Sequence, residues 1–94
     1  MKKLALVTGG TRGIGASIAR KLQKDGFEVV TTYIGRPDEA NAFTEETGIK
    51  TYKFDVAYFE SCKEAIEKIE KEFGSSIDVV VNNAGITKDR FLHK

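Results

Sequence analysis

Apolar and polar positions change period repeatedly along the 94 residues, and each change predicts a new element. Leu4-Ala5-Leu6-Val7 is a short apolar run that ends at Thr8-Gly9-Gly10, as a buried parallel strand does. Ile14, Ile18 and Leu22 then recur every four residues with Ala19 beside them, which predicts an amphipathic helix. Gly26 suits that helix's left-handed cap. The stretch from Phe27 to Tyr33 is rich in β-branched and aromatic residues and predicts a second strand. Pro37 opens a second helix, with Ala40 and Phe43 on one side and a stop near Gly48. Tyr52, Phe54 and Val56 alternate with Lys53 and Asp55, giving a third strand. Phe59, Cys62, Ile66, Ile69 and Phe73 are spaced three and four apart, a helical stripe that closes at Gly74. The other face of that helix sets Glu64 four residues before Lys68 and Glu67 four before Lys71. Ile77 to Val81 is a fourth, almost continuous apolar strand.

The resulting order, β-α-β-α-β-α-β, predicts an α/β fold: a doubly wound parallel sheet with right-handed crossovers and helices on both faces. No repeat, low-complexity tract or linker divides it. Lys94 falls barely past the fourth strand, before a helix has room to cover that strand's far side. The expectation is therefore that residues 1–94 are the N-terminal part of one domain, interrupted after strand four. The fourth strand, central in a doubly wound sheet, should then pair with a complementary C-terminal polypeptide or another copy of this chain.

Composition narrows the setting more than the chemistry. The chain is 40% apolar and 31% charged, ordinary for a globular protein. A net charge of +1 leaves no electrostatic footprint for nucleic acid or an anionic membrane. The single cysteine excludes an internal disulfide framework, and no Cys/His cluster offers a metal site, which fits a reducing, cytoplasmic setting. Met1-Lys2-Lys3 followed by Leu4 to Val7 has the charge of a signal peptide but not its apolar length. No stretch is long enough to span a bilayer.

Candidate chemistry begins at Thr8-Gly9-Gly10-Thr11-Arg12-Gly13-Ile14-Gly15, a G-x-x-x-G-x-G loop between the first strand and the first helix. Gly9 permits the turn out of the strand. Gly13 lets the backbone approach a diphosphate, and Gly15 lets the helix pack closely. The helix aims unpaired N–H groups and its positive dipole end at the phosphates. Gly10 and Gly15 also have the spacing of a mononucleotide P-loop, with Ser17 at the hydroxyl position. The required lysine is Ala16, so the β- and γ-phosphates lack their side-chain cation and a kinase or GTPase is rejected.

Three motifs in this order resemble the short-chain dehydrogenases/reductases: Thr8-Gly9-x-x-x-Gly13-Ile14-Gly15, Asp55-Val56 after strand three, and Asn82-Asn83-Ala84-Gly85 after strand four. The resemblance covers essentially all 94 residues but only the first part of a family member, and it implies a Rossmann-like fold. Lys24-Asp25-Gly26-Phe27 and Asn83-Ala84-Gly85-Ile86-Thr87-Lys88-Asp89 are most similar to bacterial acetoacetyl-CoA reductases, with 3-oxoacyl-acyl-carrier-protein reductases close behind. The resemblance implies a cofactor site that includes Thr11 and Ile14 of the loop. It also implies that Asp55 hydrogen-bonds the adenine amino group and that Val56 packs near the ring. Asn82 would brace the central strand, and Asn83, Ala84 and Gly85 would line the pyrophosphate and adenosine ribose. Asp89 matches a position near the substrate mouth, and equally reads as a loop carboxylate.

For the cofactor, an NAD site would place a carboxylate at the end of strand two. Thr31-Thr32-Tyr33-Ile34-Gly35 has none, whereas Arg36 follows at once and Arg12 lies inside the loop. Two guanidinium forks suit a 2′-phosphate, so NADP(H) is expected. Arg36 also reads as a solvated loop charge.

The family's catalytic Ser and Tyr-x-x-x-Lys are expected beyond Lys94. Tyr33, Tyr52 and Tyr58 are the only tyrosines, and none has a lysine four residues on. Cys62 reads as core and His93 as surface. The leading expectation is the cofactor-binding portion of an NADPH-dependent 3-oxoacyl thioester reductase, inactive without a C-terminal part, whose substrate is carried by CoA or acyl carrier protein. A non-catalytic nucleotide-binding or assembly module, or a short-chain enzyme for another carbonyl or alcohol, remains open.

Overall fold

The structure, a computed structural model, describes residues 2–11, 13–54 and 59–83, with the side chains of the last stretch described from Lys63 onward. Its elements follow the predicted order: β1 (Leu4–Thr8), α1 (Gly13–Lys24), β2 (Glu28–Tyr33), α2 (Pro37–Thr47), β3 (Lys50–Lys53), α3 (Phe59–Phe73) and β4 (Ile77–Val81). All strands are parallel and run in the order β3-β2-β1-β4. The fold is thus the α/β, Rossmann-like arrangement expected from the pattern.

β1 lies inside the sheet, hydrogen-bonded to β2 on one edge and β4 on the other, and every one of its residues is buried. Its alternate side chains serve two layers. Leu4 and Leu6 join Val30, Tyr52 and Ile69 of α3 on one face of the sheet. Val7 joins Ala19 of α1, Val29, Phe43 of α2 and Ile49 on the other. Each such fully buried aliphatic side chain stabilises the fold by about 1.5–3 kcal/mol.

Several boundaries differ from the sequence expectation, each for a local reason. Ile14 is not on the core face of α1; it is 73% exposed, while Gly15 and Ala19 are the residues buried there. Gly15 rather than Ile14 faces the glycine turn, where no room is left for a side chain. β2 starts at Glu28 rather than Phe27 because the Phe27 N–H is already committed to Leu22 O at 3.0 Å. Together with Gly26 N–H to Gln23 O and a left-handed Gly26, that bond makes a Schellman cap, and Leu22 and Phe27 both pack on the core. β3 starts at Lys50, directly after the left-handed cap at Gly48, and stops at Lys53. Its neighbour β2 ends at Tyr33, whose carbonyl takes a last bond from the Phe54 N–H. Along α3, Lys68 pairs with Glu72 at 3.4 Å instead of Glu64.

β4 enters the sheet through a bulge. Leu4 is opposite Ile77 and Ala5 opposite Val79, so Asp78 has no opposite number. The Asp78 carboxylate accepts the Leu4 N–H at 2.8 Å, and Glu70 of α3 accepts the Ile77 N–H at 2.8 Å. Among the described residues, no helix is long and apolar enough to cross a membrane.

Candidate functional site at the carboxyl ends of the strands

The chain leaves β1 at Thr8 and crosses to α1 through a turn at Gly9, Gly10 and Thr11. Both neighbouring strands hold this turn. On the β2 side, the Gly9 N–H points to the Thr32 hydroxyl at 3.4 Å. On the β4 side, the Asn83 side-chain amide donates to Gly9 O at 3.2 Å. One residue earlier, the Thr8 hydroxyl donates to Asn82 Oδ1 at 3.1 Å and lies 3.5 Å from Val81 O. Asn82 is therefore seated against the end of the central strand, and Asn83 against the glycine turn.

The glycines play different parts. Gly9 and Gly13 have φ of 65° and 61°, in the left-handed region. Among the described residues, a Cβ on Gly13 would meet nothing within 4 Å, so none of them fills the space beside it at the α1 N-terminus. At Gly15 a Cβ would overlap the Gly9 carbonyl oxygen and come within 2.7 Å of Asn83 Nδ2. Its lack of a side chain lets the first turn of α1 close onto the loop, a contact tighter than helix-on-sheet packing alone. Gly10, to which the motif reading gave no role, is also constrained: a Cβ there would fall 2.6 Å from Thr31 Cγ2 and 3.1 Å from Val7 O. Thr31 is wholly buried beneath the turn, and its hydroxyl has no partner among the described residues. No sequence signal distinguishes Gly10, because the constraint comes from a strand more than twenty residues on.

This arrangement can hold a diphosphate. The first-turn N–H groups of α1 have no intrahelical acceptors, the helix dipole favours an anion there, and no side chain of Gly13 fills the approach. Thr11 is half-buried at the turn, with Gly13 and Ile14 exposed beside it.

Arg36 stands at the N-cap of α2, with φ −88° and ψ 93° and no side-chain capping bond. Its Nε lies 3.5 Å from Glu39 Oε2, with the two side chains 68% and 37% exposed. Tyr33 is half-buried at the end of β2. The tract Thr31 to Gly35 at the end of strand two carries no carboxylate, but Glu39, three residues past Arg36, does; its signal in the sequence is the i,i+3 spacing from Arg36.

Beside the third strand, the Tyr52 hydroxyl donates to Glu72 Oε1 at 2.5 Å and ties β3 to α3. Burial, then the hydrogen bond and charge of Glu72, push the Tyr52 hydroxyl above the usual phenol range. The bond from Tyr52 holds the Glu72 carboxyl below its usual range, helped by Lys68 and Lys50. Arg12, Asp55, Val56, Ala84, Gly85 and Asp89 lie outside the described residues, as does the side chain of Cys62.

Comparison with known proteins agrees with this geometry. The family model for short chain dehydrogenase matches residues 3–94. Acetoacetyl-CoA reductase of Paracoccus denitrificans is 55% identical over 94 residues, covering 100% of this chain and 38% of that protein. A 3-oxoacyl-acyl-carrier-protein reductase of Staphylococcus epidermidis is 46% identical over 97 residues, covering 98% and 39%. Among solved structures, BdcA, an E. coli protein, in complex with NADPH aligns with a TM-score of 0.76 at 36% identity, over 88% of this chain and 32% of that one. The chain spans about two-fifths of the length of the curated relatives it matches.

Proposed function

Because this chain belongs to the short-chain dehydrogenase family, we propose that it supplies the cofactor-binding part of an NADPH-dependent reductase of 3-oxoacyl thioesters, of the acetoacetyl-CoA type. The observation that carries the reading is the glycine turn. It is clasped by Thr32 and Asn83, left unfilled beside Gly13 by the described residues, and placed beside the β1–β4 crevice where a doubly wound sheet binds its ligand. The identity to acetoacetyl-CoA reductase over the whole chain supports the thioester class.

In this reading NADPH, when bound, supplies the hydride that reduces the 3-keto carbon. The first turn of α1 and the Gly9–Gly13 backbone hold the diphosphate. Arg36, with Arg12, pairs with the 2′-phosphate. Asp55 and Val56 receive the adenine, and Asn83, Ala84 and Gly85 border the ribose and pyrophosphate. Asp89 sits near the substrate mouth. None of the three tyrosines has a lysine four residues on, so the proton for the ketone oxygen comes from a residue outside this segment. The acyl group arrives on CoA or acyl carrier protein.

Titration of the intact protein with NADPH and NADH tests the cofactor assignment. Arg36→Ala or Arg12→Ala should weaken NADPH by about tenfold and leave NADH nearly unchanged; equal losses for both cofactors would sink it. Consumption of NADPH that depends on acetoacetyl-CoA tests the substrate class, and binding without turnover would favour a non-catalytic nucleotide-binding module.

A further inference from the structure

We infer that Glu39 is a built-in competitor for the Arg36 guanidinium, and that it sets how strongly this site prefers a 2′-phosphorylated dinucleotide over its 2′-hydroxyl counterpart. The inference rests on the reading of Arg36 as the partner of the 2′-phosphate. Arg36 is the N-cap of α2 and Glu39 lies in the helix's first turn, three residues on, with Oε2 3.5 Å from Arg36 Nε. The carboxylate is well placed there, since the first turn of a helix favours negative charge. Any phosphate that pairs with Arg36 shares that guanidinium with Glu39 and comes to rest beside its negative charge. An exposed pair of this length holds the cation weakly, so a dianionic phosphate still displaces it. The competition therefore scales the affinity without abolishing binding.

The same carboxylate acts in the opposite sense on a ribose hydroxyl. A 2′-hydroxyl brings no charge to repel and can donate to an acceptor oxygen, the role that a carboxylate at the end of strand two plays in NAD sites. Glu39, in the first turn of the helix that follows that strand, carries oxygens of that kind. One ion pair thus presents a cation for the phosphorylated cofactor and an anion for the other, and the removal of either member shifts the ratio of the two affinities.

The test is a double-mutant cycle on the intact protein, with NADPH and NADH titrated into wild type, Glu39→Gln, Arg36→Ala and the double variant. Glu39→Gln should tighten NADPH by about two- to fivefold, with no gain for NADH, and the gain should shrink as salt is raised. In the Arg36→Ala background most of the gain should vanish, because the guanidinium that Glu39 draws on in the described pair is gone. Glu39→Gln that leaves NADPH unchanged or weaker, while Arg36→Ala still costs NADPH selectively, would overturn the inference and leave the 2′-phosphate reading standing. An undiminished gain without Arg36 would also overturn it, by showing simple repulsion in place of competition. If Arg36→Ala has no selective cost, the 2′-phosphate reading fails and this inference fails with it.

Discussion

At positions 13 and 15 the same missing side chain answers opposite needs. A Cβ on Gly13 would meet no described residue within 4 Å, and its φ is 61°, so Gly13→Ala should cost about 1–2 kcal/mol of stability from backbone strain alone. A branched side chain adds bulk where the diphosphate would sit. Gly13→Val should therefore abolish NADPH binding in a folded protein, and unchanged affinity by calorimetry would show that this loop is not the phosphate cradle. Gly15 is enclosed by Gly9 O, Gly10 and Asn83. Gly15→Ala should lower stability by about 1–3 kcal/mol through overpacking, seen as an earlier unfolding midpoint even without nucleotide. A Gly15→Ala variant of full stability would mean that α1 does not close onto the turn as described.

At the scale of elements, β3 and α3 are joined by a polar contact that should make part of the stability pH-dependent. Glu72 has a lowered pKa in the folded state, so its contribution is present above the ordinary carboxylate pKa and is lost as pH falls through the folded value. Tyr52 has a raised pKa, so its contribution holds below the ordinary phenol pKa of about 10 and is lost as pH rises beyond it. Tyr52→Phe should destabilise the protein at neutral pH, and the difference from wild type should fade as Glu72 becomes protonated. Thermal unfolding from neutral pH down into the acid range checks this. A difference independent of pH would mean that the charge on Glu72 does not contribute to the bond, since phenylalanine keeps the ring that stacks near Phe54 at 6.4 Å between centroids.

For the molecule as a whole, β4 is the apolar edge of the sheet among the described residues. Val80 is opposite Leu6, so it shares the face that α3 covers elsewhere, yet it is 53% exposed. Among the described residues β1 is the only strand that pairs with β4, which leaves an apolar edge of the kind proteins usually cover. Residues 1–94 produced alone should therefore self-associate or aggregate, and should be rescued by a polypeptide that supplies the neighbouring strand. A monodisperse monomer in sedimentation, with cooperative unfolding and slow amide exchange at Val80, would contradict this.

Element order, strand direction and the place of the glycine turn were all legible in the residues. They follow from short-range periodicity and from the backbone demands of Gly26, Pro37, Gly48 and Gly74, which act within one helical turn. The family was legible through resemblance alone, on three motifs that match the short-chain dehydrogenases in order and spacing. β2 starts one residue after the predicted Phe27 and β3 two residues before the predicted Tyr52, since the preceding cap decides where a strand can begin. The stripe through Ile14, Ile18 and Leu22 says which residues share a face of α1 but not which of them the glycine turn covers, a place that Gly15 takes. The fitting of Gly10 over Thr31, the clasp of Asn83 on Gly9 across 74 positions, and the bulge at Asp78 left no local trace. Periodicity is set by neighbours along the chain, whereas those contacts join segments that meet only when the sheet has assembled in the order β3-β2-β1-β4.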